Sequence, residues 1–162
     1  MPLTRLDAPP GLVCAEAEGL LVMVAVKSPD NALYTAICGA QLAAVEKWGT
    51  ISVLSIVPRF DGPMKTDKAT QESQGQRLAA VADKILINAT AVTVAGMSGT
   101  VIRLVLTTVN MLNRTRNSKV ESSIDAAVDA VRKVPNQRPS IRDGAYLAAD
   151  VKALVEVALK TV

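Results

Sequence analysis

The chain has 162 residues, a length that fits one domain with a hydrophobic core of its own. Apolar residues make up 49% of it, while the net charge is only +3 and aromatic side chains are 2% of the total, so neither a basic nucleic-acid-binding surface nor a set of base-stacking rings is expected. The sequence contains no histidine, which excludes Ser-His-Asp and Cys-His catalysis and every metal site that needs imidazole.

The remaining reactive side chains do not form a catalytic or metal-binding pattern. Cys14 and Cys38 are too few and too widely spaced for a disulfide framework or a zinc site, which favours a reducing, cytoplasmic setting. Asp61 and Asp67 lie in a polar loop and are interpreted as solvated charges. We therefore expect no enzyme activity, no cofactor and no metal. The start MPLTRLDAPPG is broken by prolines and does not have the form of a signal peptide.

Patterns in the first half of the chain predict a hairpin, a helix and a central strand. After an N-terminal extension over residues 1–11, two β-rich runs flank the two-residue turn Glu18-Gly19, as in a β-hairpin. Helical spacing of apolar residues then predicts a helix that Gly49 ends. The β-branched run TISVLSIVP predicts a strand covered on both faces. The predicted bounds are residues 12–17 and 20–26 for the hairpin, 32–48 for the helix and 50–58 for the strand.

The middle of the chain predicts a polar loop followed by a helix. Residues 59–76 are polar and carry Gly62-Pro63, which is typical of a surface loop. Leu78, Val81 and Ile85 have helical spacing, so they predict a helix that reaches about Leu86.

The longest nearly uncharged stretch, residues 91–114, has three interpretations: a membrane span, a phosphate-binding turn or buried core. AVTVAGM predicts a strand, Ser98-Gly99-Thr100 a turn, and VIRLVLTTVNML a helix. Because the turn and Arg103 interrupt the stretch, no transmembrane segment is expected. A Gly-containing turn before a helix leaves backbone N–H groups free for an anion, so Ser98, Gly99, Thr100 and Arg103 form a candidate anion-binding site, to which Arg114 and Arg116 could add charge. The alternative is a tight structural connection.

The last third of the chain predicts a short strand and two helices. SKVES suits a strand, and Ser123 would cap a helix with a one-sided apolar stripe of Ile124, Ala127, Val128 and Val131. Residues 135–143 are interpreted as a linker, because they carry two prolines. A last amphipathic helix within residues 144–162 carries a stripe that must be buried on the domain or against a second subunit: Leu147, Val151, Leu154 and Ala158.

The predicted order β-β-α-β-α-β-α-β-α, with an extra C-terminal helix, indicates an α/β fold. Strands that alternate with helices favour a mixed, mainly parallel sheet with crossover helices, and the hairpin adds an antiparallel edge. The order resembles the STAS fold of sulfate-transporter and anti-sigma-factor-antagonist domains, and in particular bacterial STAS-like proteins. The resemblance covers residues 12–134 and rests on the strand AVTVAGMSG, the arginine-bearing helix TVIRLVLTTVNMLNRTR and the amphipathic helix SIDAAVDAV.

This resemblance implies a domain that binds partners without catalytic machinery. Phosphorylatable STAS domains carry an Asp-Ser-Ser/Thr-Gly type motif after the central strand, whereas this chain has Asp61-Gly62 with no following serine. Thr66 and Thr70 are the nearest hydroxyls and lie outside such a motif, so the resemblance does not extend to a kinase-switched role.

Two functions are therefore expected from the sequence. The first is a non-catalytic STAS-like domain of regulatory type that acts through a protein partner or by self-association as a homo-oligomer, with the stripe of the last helix as its candidate interaction surface. The alternative is a module that binds a small anion or a lipid headgroup at the Ser98–Thr100 turn and Arg103.

Overall fold

A computed structural model describes residues 2–96, 98–100, 102–103, 117–145 and 147–161 of the chain. The protein is an α/β fold with one six-stranded mixed sheet. Residues 98–100 and 102–103 are helical. The other elements, in chain order, are β1 (Thr4–Leu6), β2 (Leu12–Ala17), β3 (Leu20–Ala25), α1 (Asn31–Trp48), β4 (Ile51–Val57), α2 (Lys68–Ala79), a 3₁₀ turn (Ala82–Lys84), β5 (Ile85–Val92), β6 (Ser118–Glu121), α3 (Ile124–Lys133), α4 (Pro139–Arg142) and α5 (Leu147–Lys160).

The strands lie side by side in the same order as they occur in the chain. β1 pairs antiparallel with β2, and β2 pairs antiparallel with β3. From β3 onward each strand pairs in parallel with the next. The prediction of a mixed, mainly parallel sheet with an antiparallel edge is thus confirmed, and β1 adds an edge strand within the predicted N-terminal extension.

The hairpin and the first helix are built as their turn and capping residues predict. Glu18 and Gly19 both have positive φ, 47° and 86°, which is the backbone of the tight turn that matches strand twist. The Asp30 carboxylate accepts a hydrogen bond from the Leu33 N–H at 2.8 Å and so caps the start of α1. Gly49, with φ 78°, ends it and donates its N–H to the Val45 carbonyl.

Helices cover both faces of the sheet and give the protein two apolar cores. One core joins β2, β3 and β4 to α1 and includes Leu21, Val53 and Leu33. The other joins the opposite face of the sheet to α3, α4 and α5. Alternate residues of each strand serve the two cores, because successive side chains of a strand point to opposite faces. β4 therefore lies in the middle of the sheet with both faces covered, as its sequence predicted.

The boundary between the second helix and the fifth strand differs from the prediction. The helix begins at Lys68, inside the predicted loop, because the Asp67 carboxylate caps it by accepting from the Thr70 N–H at 2.7 Å. It ends at Ala79, and Ile85 belongs to the next strand. The helical spacing of Leu78, Val81 and Ile85 was therefore coincidental: Val81 and Ile85 pack against the core beneath α1 from separate elements.

The predicted strand over residues 91–97 is also displaced. β5 covers Ile85–Val92 and was missed because Asn88 and Thr90 interrupt its apolar run. The strand is one-sided, with Ile87, Ala89 and Ala91 buried in the core beneath α3. Residues 98–100, predicted as a turn, are helical instead. Most of the predicted helix that follows them lies outside the described residues.

The last third of the chain follows the prediction closely. The Ser123 hydroxyl accepts from the Ala126 N–H at 3.1 Å and caps α3, whose residues Ala127, Val128 and Val131 are buried. Residues 135–143, interpreted as a linker, contain the short helix α4, and Ile141 within it is buried in the core. α5 then returns to the sheet and packs against β3 and α3.

Polar contacts at the amino ends of the parallel strands connect the segment between α3 and α4 to α1 and β4. The Gln137 amide nitrogen donates to the Ser52 hydroxyl at 2.9 Å and to the Val131 carbonyl at 2.6 Å, and its oxygen accepts from the Arg138 N–H at 3.0 Å. The Arg138 guanidinium donates to the Trp48 carbonyl at 2.8 Å and lies over the indole ring. These bonds connect the α3–α4 segment to the start of β4.

The indole of Trp48 also contacts a buried carboxylate, that of Glu16. Its N–H donates to the Glu16 carboxylate at 3.1 Å, and Lys47 forms an ion pair with the same carboxylate. Glu16 is buried at the end of β2. A buried carboxylate is tolerated when hydrogen bonds and an opposite charge replace its water, so this group fastens the end of α1 to the hairpin.

Candidate functional site

A cavity of about 780 Å³ opens at the carboxyl ends of β3, β4 and β5, on the face that α1 covers. The segments that follow the parallel strands converge at this edge, so side chains from several parts of the chain can meet there. The volume is within the range of pockets that hold small organic ligands, roughly 300–1,000 Å³. No local pattern in the sequence predicted this cavity.

The floor of the cavity consists of two rows of side chains that cross the sheet. Met23, Ser55 and Thr90 form one row, because Met23 is the register partner of Ser55 and Ser55 that of Thr90. Leu12 and Ala25 are partners in the other row. Since Ala25, Ser55 and Thr90 are small for positions on a covered sheet face, the space above them is not filled by the sheet itself.

A loop after β4 forms one wall of the cavity. We call residues 59–66 the strap. Phe60 and Met64 of the strap line the cavity and are 50% and 47% exposed. Because both side chains line the same cavity, they form an apolar patch at its mouth and are not isolated surface residues. The other described lining residues come from the strands, from the segment after β3, from α1 and from the helical residues after β5: Leu12, Met23, Ala25, Lys27, Ser28, Pro29, Ile37, Ser55, Ile56, Val57, Arg59, Gly62, Pro63, Thr90, Ser98 and Ile102.

Hydrogen bonds hold the strap against the segment between β3 and α1. The Asp61 carboxylate accepts from the Ser28 N–H at 2.6 Å, and the Ser28 hydroxyl donates to the Gly62 carbonyl. The Lys65 N–H donates to the Pro29 carbonyl at 2.9 Å. The strap therefore has a defined position over the cavity.

Hydrogen bonds also stabilise the charged forms of two carboxylates, Asp61 within the strap and Asp67 directly after it. The hydrogen bonds from Ser28 hold the pKa of Asp61 below its usual range. The bonds from Thr70 and Asn31 do the same for the pKa of Asp67. A carboxylate that accepts hydrogen bonds in its charged form is harder to protonate, so both groups are charged at neutral pH.

Thr66 and Thr70, the two hydroxyl residues that follow Asp61-Gly62, lie in different settings. Thr66 is buried, and its hydroxyl donates to the Pro29 carbonyl at 3.1 Å. Thr70 lies in the first turn of α2, where its N–H is bonded to the capping Asp67. The structure thus gives Thr66 a role in fastening the strap.

The four candidate anion-binding residues lie together after β5, but as part of a helix. Ser98 lines the cavity, and Gly99 is buried so closely that a Cβ would collide with the Val94 carbonyl. The Arg103 guanidinium donates to the Val92 carbonyl at 3.1 Å and to the Thr100 hydroxyl at 3.2 Å. Arg103 therefore joins the helix to the end of β5. Arg114 and Arg116 lie outside the described residues.

The residues proposed as an interaction surface are part of the core. Leu147, Val151, Leu154 and Ala158 are buried against the sheet and α3. The stripe could be buried on the domain or against a second subunit, and the structure shows it buried on the domain. It packs on the sheet face opposite α1.

The two cysteines are buried, and burial raises the pKa of Cys14 to about 11 and also raises the pKa of Cys38. Thiols of this kind are poor nucleophiles because the thiolate is disfavoured. Within the described part of the chain, no cluster of cysteine and acidic side chains could hold a metal ion. Nor does any helix of that part combine the length and the hydropathy that a bilayer crossing requires.

Together the sheet and the cavity define an α/β protein with a pocket at the carboxyl edge of its parallel strands. Comparison with protein-family models, with curated proteins and with solved structures finds no match for this chain. The functional argument therefore rests on the site itself.

Proposed function

We propose that this protein is a binding module that holds a small, largely apolar molecule in the cavity at the carboxyl edge of the sheet. The observation that carries the proposal is the cavity of about 780 Å³, with small residues on its floor and exposed Phe60 and Met64 at its mouth. The proposal keeps the ligand-binding class expected from the sequence but changes the site, because Arg103 is bonded to Val92 and Thr100.

The chemistry of the lining supports binding without catalysis. Its polar members are hydroxyls and two basic side chains, and no carboxylate or cysteine lines the cavity within the described residues. General acid–base chemistry near neutral pH most often uses histidine or a carboxylate with a shifted pKa, and the chain contains no histidine. The order of strands and helices supports a STAS-like assignment of the fold, which we retain as part of the proposal.

Filling the floor of the cavity tests this proposal. We expect Ala25→Leu to abolish binding of a neutral, environment-sensitive naphthylamine probe that carries an alkyl chain, because the added side chain occupies the space above β3. Cavity-filling substitutions commonly stabilise a protein by about 0.5–2 kcal/mol, so the urea midpoint of this variant is expected to hold or to rise. Probe fluorescence and urea unfolding are measured on the same samples.

Ala43→Leu provides the matched control, since it is the same substitution at an exposed position of α1. It is expected to bind the probe like the wild type. If Ala25→Leu folds and still binds the probe with unchanged affinity, the cavity is not the binding site. Ser55→Val is a second variant on the same floor, in case Ala25→Leu is strained.

A second candidate function is protein association through the mouth of the cavity. Phe60 and Met64 are the observation that favours it, since both are exposed and lie on the same strap. If the protein self-associates there, light scattering will show a mass that rises with concentration for the wild type, and Phe60→Ser with Met64→Ser will reduce it to the monomer mass. A wild type that stays monomeric at all concentrations contradicts self-association at this surface.

A further inference from the structure

Building on the proposed function, we infer that the ligand is an aliphatic chain with an acidic headgroup, with the chain in the cavity and the acid between Lys27 and Arg59 at its mouth. The inference names a ligand class for the cavity and depends on the cavity being a binding site. Three features of the site carry it.

The first feature is the aliphatic lining. Leu12 and Met23 are buried among the lining residues, Ile37 and Val57 add partly buried aliphatic side chains, and Phe60 is the one aromatic ring among the described lining residues. Flat aromatic ligands are usually held between aromatic side chains, and one half-exposed ring at the mouth offers no such pair. Ser55 and Thr90 add hydroxyls to the floor but no charge. A methylene chain fits this surface better than a ring system.

The second feature is the charge at the mouth. Lys27 and Arg59 line the cavity, whereas no acidic side chain does so within the described residues. Arg59 is exposed, and the side chain of Lys27 is 41% exposed, so both can meet a headgroup that remains partly in water. Asp30 and Asp61 are close in sequence to these bases but do not line the cavity: Asp30 caps α1, and Asp61 accepts from Ser28. The charged side chains that line the described cavity are therefore both basic, which favours an anion at its mouth.

The third feature is the position of Lys27. Its aliphatic stem lies over Gly11, where a Cβ would be 2.5 Å from the Lys27 Cε and where φ is +92°. Because Gly11 has no Cβ, the stem can lie directly against the backbone there. The ammonium group is also 3.8 Å from the Asp30 carboxylate. An exposed ion pair of this kind contributes little, so Lys27 can be shared with an incoming acid.

Calorimetric titration of the full chain with matched ligands tests the inference. The probes are octanoate, decanoate and dodecanoate below their micelle concentrations, and decanol and decylamine as neutral and cationic counterparts of decanoate. We expect affinity to rise about fourfold with each added methylene, because each buries more apolar surface. We expect decanoate to bind about tenfold more tightly than decanol at low salt, with a difference that shrinks as salt screens the charges.

Substitutions at Lys27 and Arg59 test the contacts of the acidic headgroup separately from those of the ligand's aliphatic chain. Lys27→Met and Arg59→Met are expected to weaken decanoate binding and to leave decanol binding unchanged. Lys65→Met is the control, because Lys65 is an exposed lysine of the strap that does not line the cavity. It is expected to bind both ligands like the wild type.

The outcomes distinguish failure of the inference from failure of the proposed function. Equal affinities for decanoate and decanol, or tighter binding of decylamine, with a chain-length dependence that Ala25→Leu removes, would overturn the acidic headgroup and leave the cavity as a binding site. An absence of chain-length dependence for every ligand, together with no binding of the naphthylamine probe, would overturn both.

Discussion

Replacement of Val151 by aspartate is expected to lower the free energy of unfolding by more than about 4 kcal/mol. Val151 is 0% exposed in the middle of α5, where it packs in the core between the sheet and α3. A carboxylate there has no partner and must be buried or neutralised, which costs several kcal/mol. Domains of this size are stable by about 5–15 kcal/mol, so a loss above about 4 kcal/mol removes much of that stability. Urea unfolding followed by circular dichroism measures the loss.

Val157 offers the matched control on the same helix. It is 37% exposed, so Val157→Asp places the same charge in contact with water. We expect this variant to change the free energy of unfolding by less than about 1 kcal/mol. If Val151→Asp is as stable as Val157→Asp, the stripe of α5 is not part of the core and is available as the interaction surface that the sequence first suggested.

Replacement of Gln137 by leucine is expected to cost about 3 kcal/mol, the second largest effect. The side chain is 7% exposed and donates to Ser52 and to the Val131 carbonyl, while it accepts from the Arg138 N–H. Leucine is similar in size but leaves these three groups without their bonds, and each buried polar group left unpaired costs about 1–3 kcal/mol. The measurement is again the free energy of unfolding in urea.

Gln74→Leu is the control for this substitution. Gln74 is 8% exposed, but its oxygen accepts from the side chain of Arg77, which lies on the surface of α2 and can turn to water. We expect a change of less than about 1 kcal/mol. Equal losses in the two variants would mean that the Gln137 bonds add nothing beyond ordinary packing.

The elements with strong local signals could be predicted from the sequence. The hairpin was indicated by Glu18-Gly19, α1 by its stripe and Gly49, and α3 by Ser123, because turns and caps depend on neighbouring residues alone. β1 was missed, since three residues cannot show a period. β5 was displaced, because Asn88 and Thr90 give one of its faces a polar character.

The candidate site could not be predicted in the same way. Ala25, Ser55 and Thr90 are ordinary residues in their own segments, and they form a floor only through the register between three strands. The strap is fastened by contacts between residues more than thirty positions apart, such as Ser28 and Asp61. Local patterns carry no information on register or on such distant pairs. The described part of the apolar stretch 91–114 supplies Ser98 and Ile102 to the cavity lining.

The two faces of the sheet are covered by helices from different parts of the chain, and this bears on how the protein is made. α1 covers one face of the sheet and follows the hairpin directly in the chain. The opposite face is covered by α3, α4 and α5, which follow β6 in the chain. During synthesis, Val22, Leu54 and Ile56 therefore cannot reach their native burial before residues 124–160 have left the ribosome. A chain that ends before α3 lacks the helices that bury this face, so we expect such a product to aggregate.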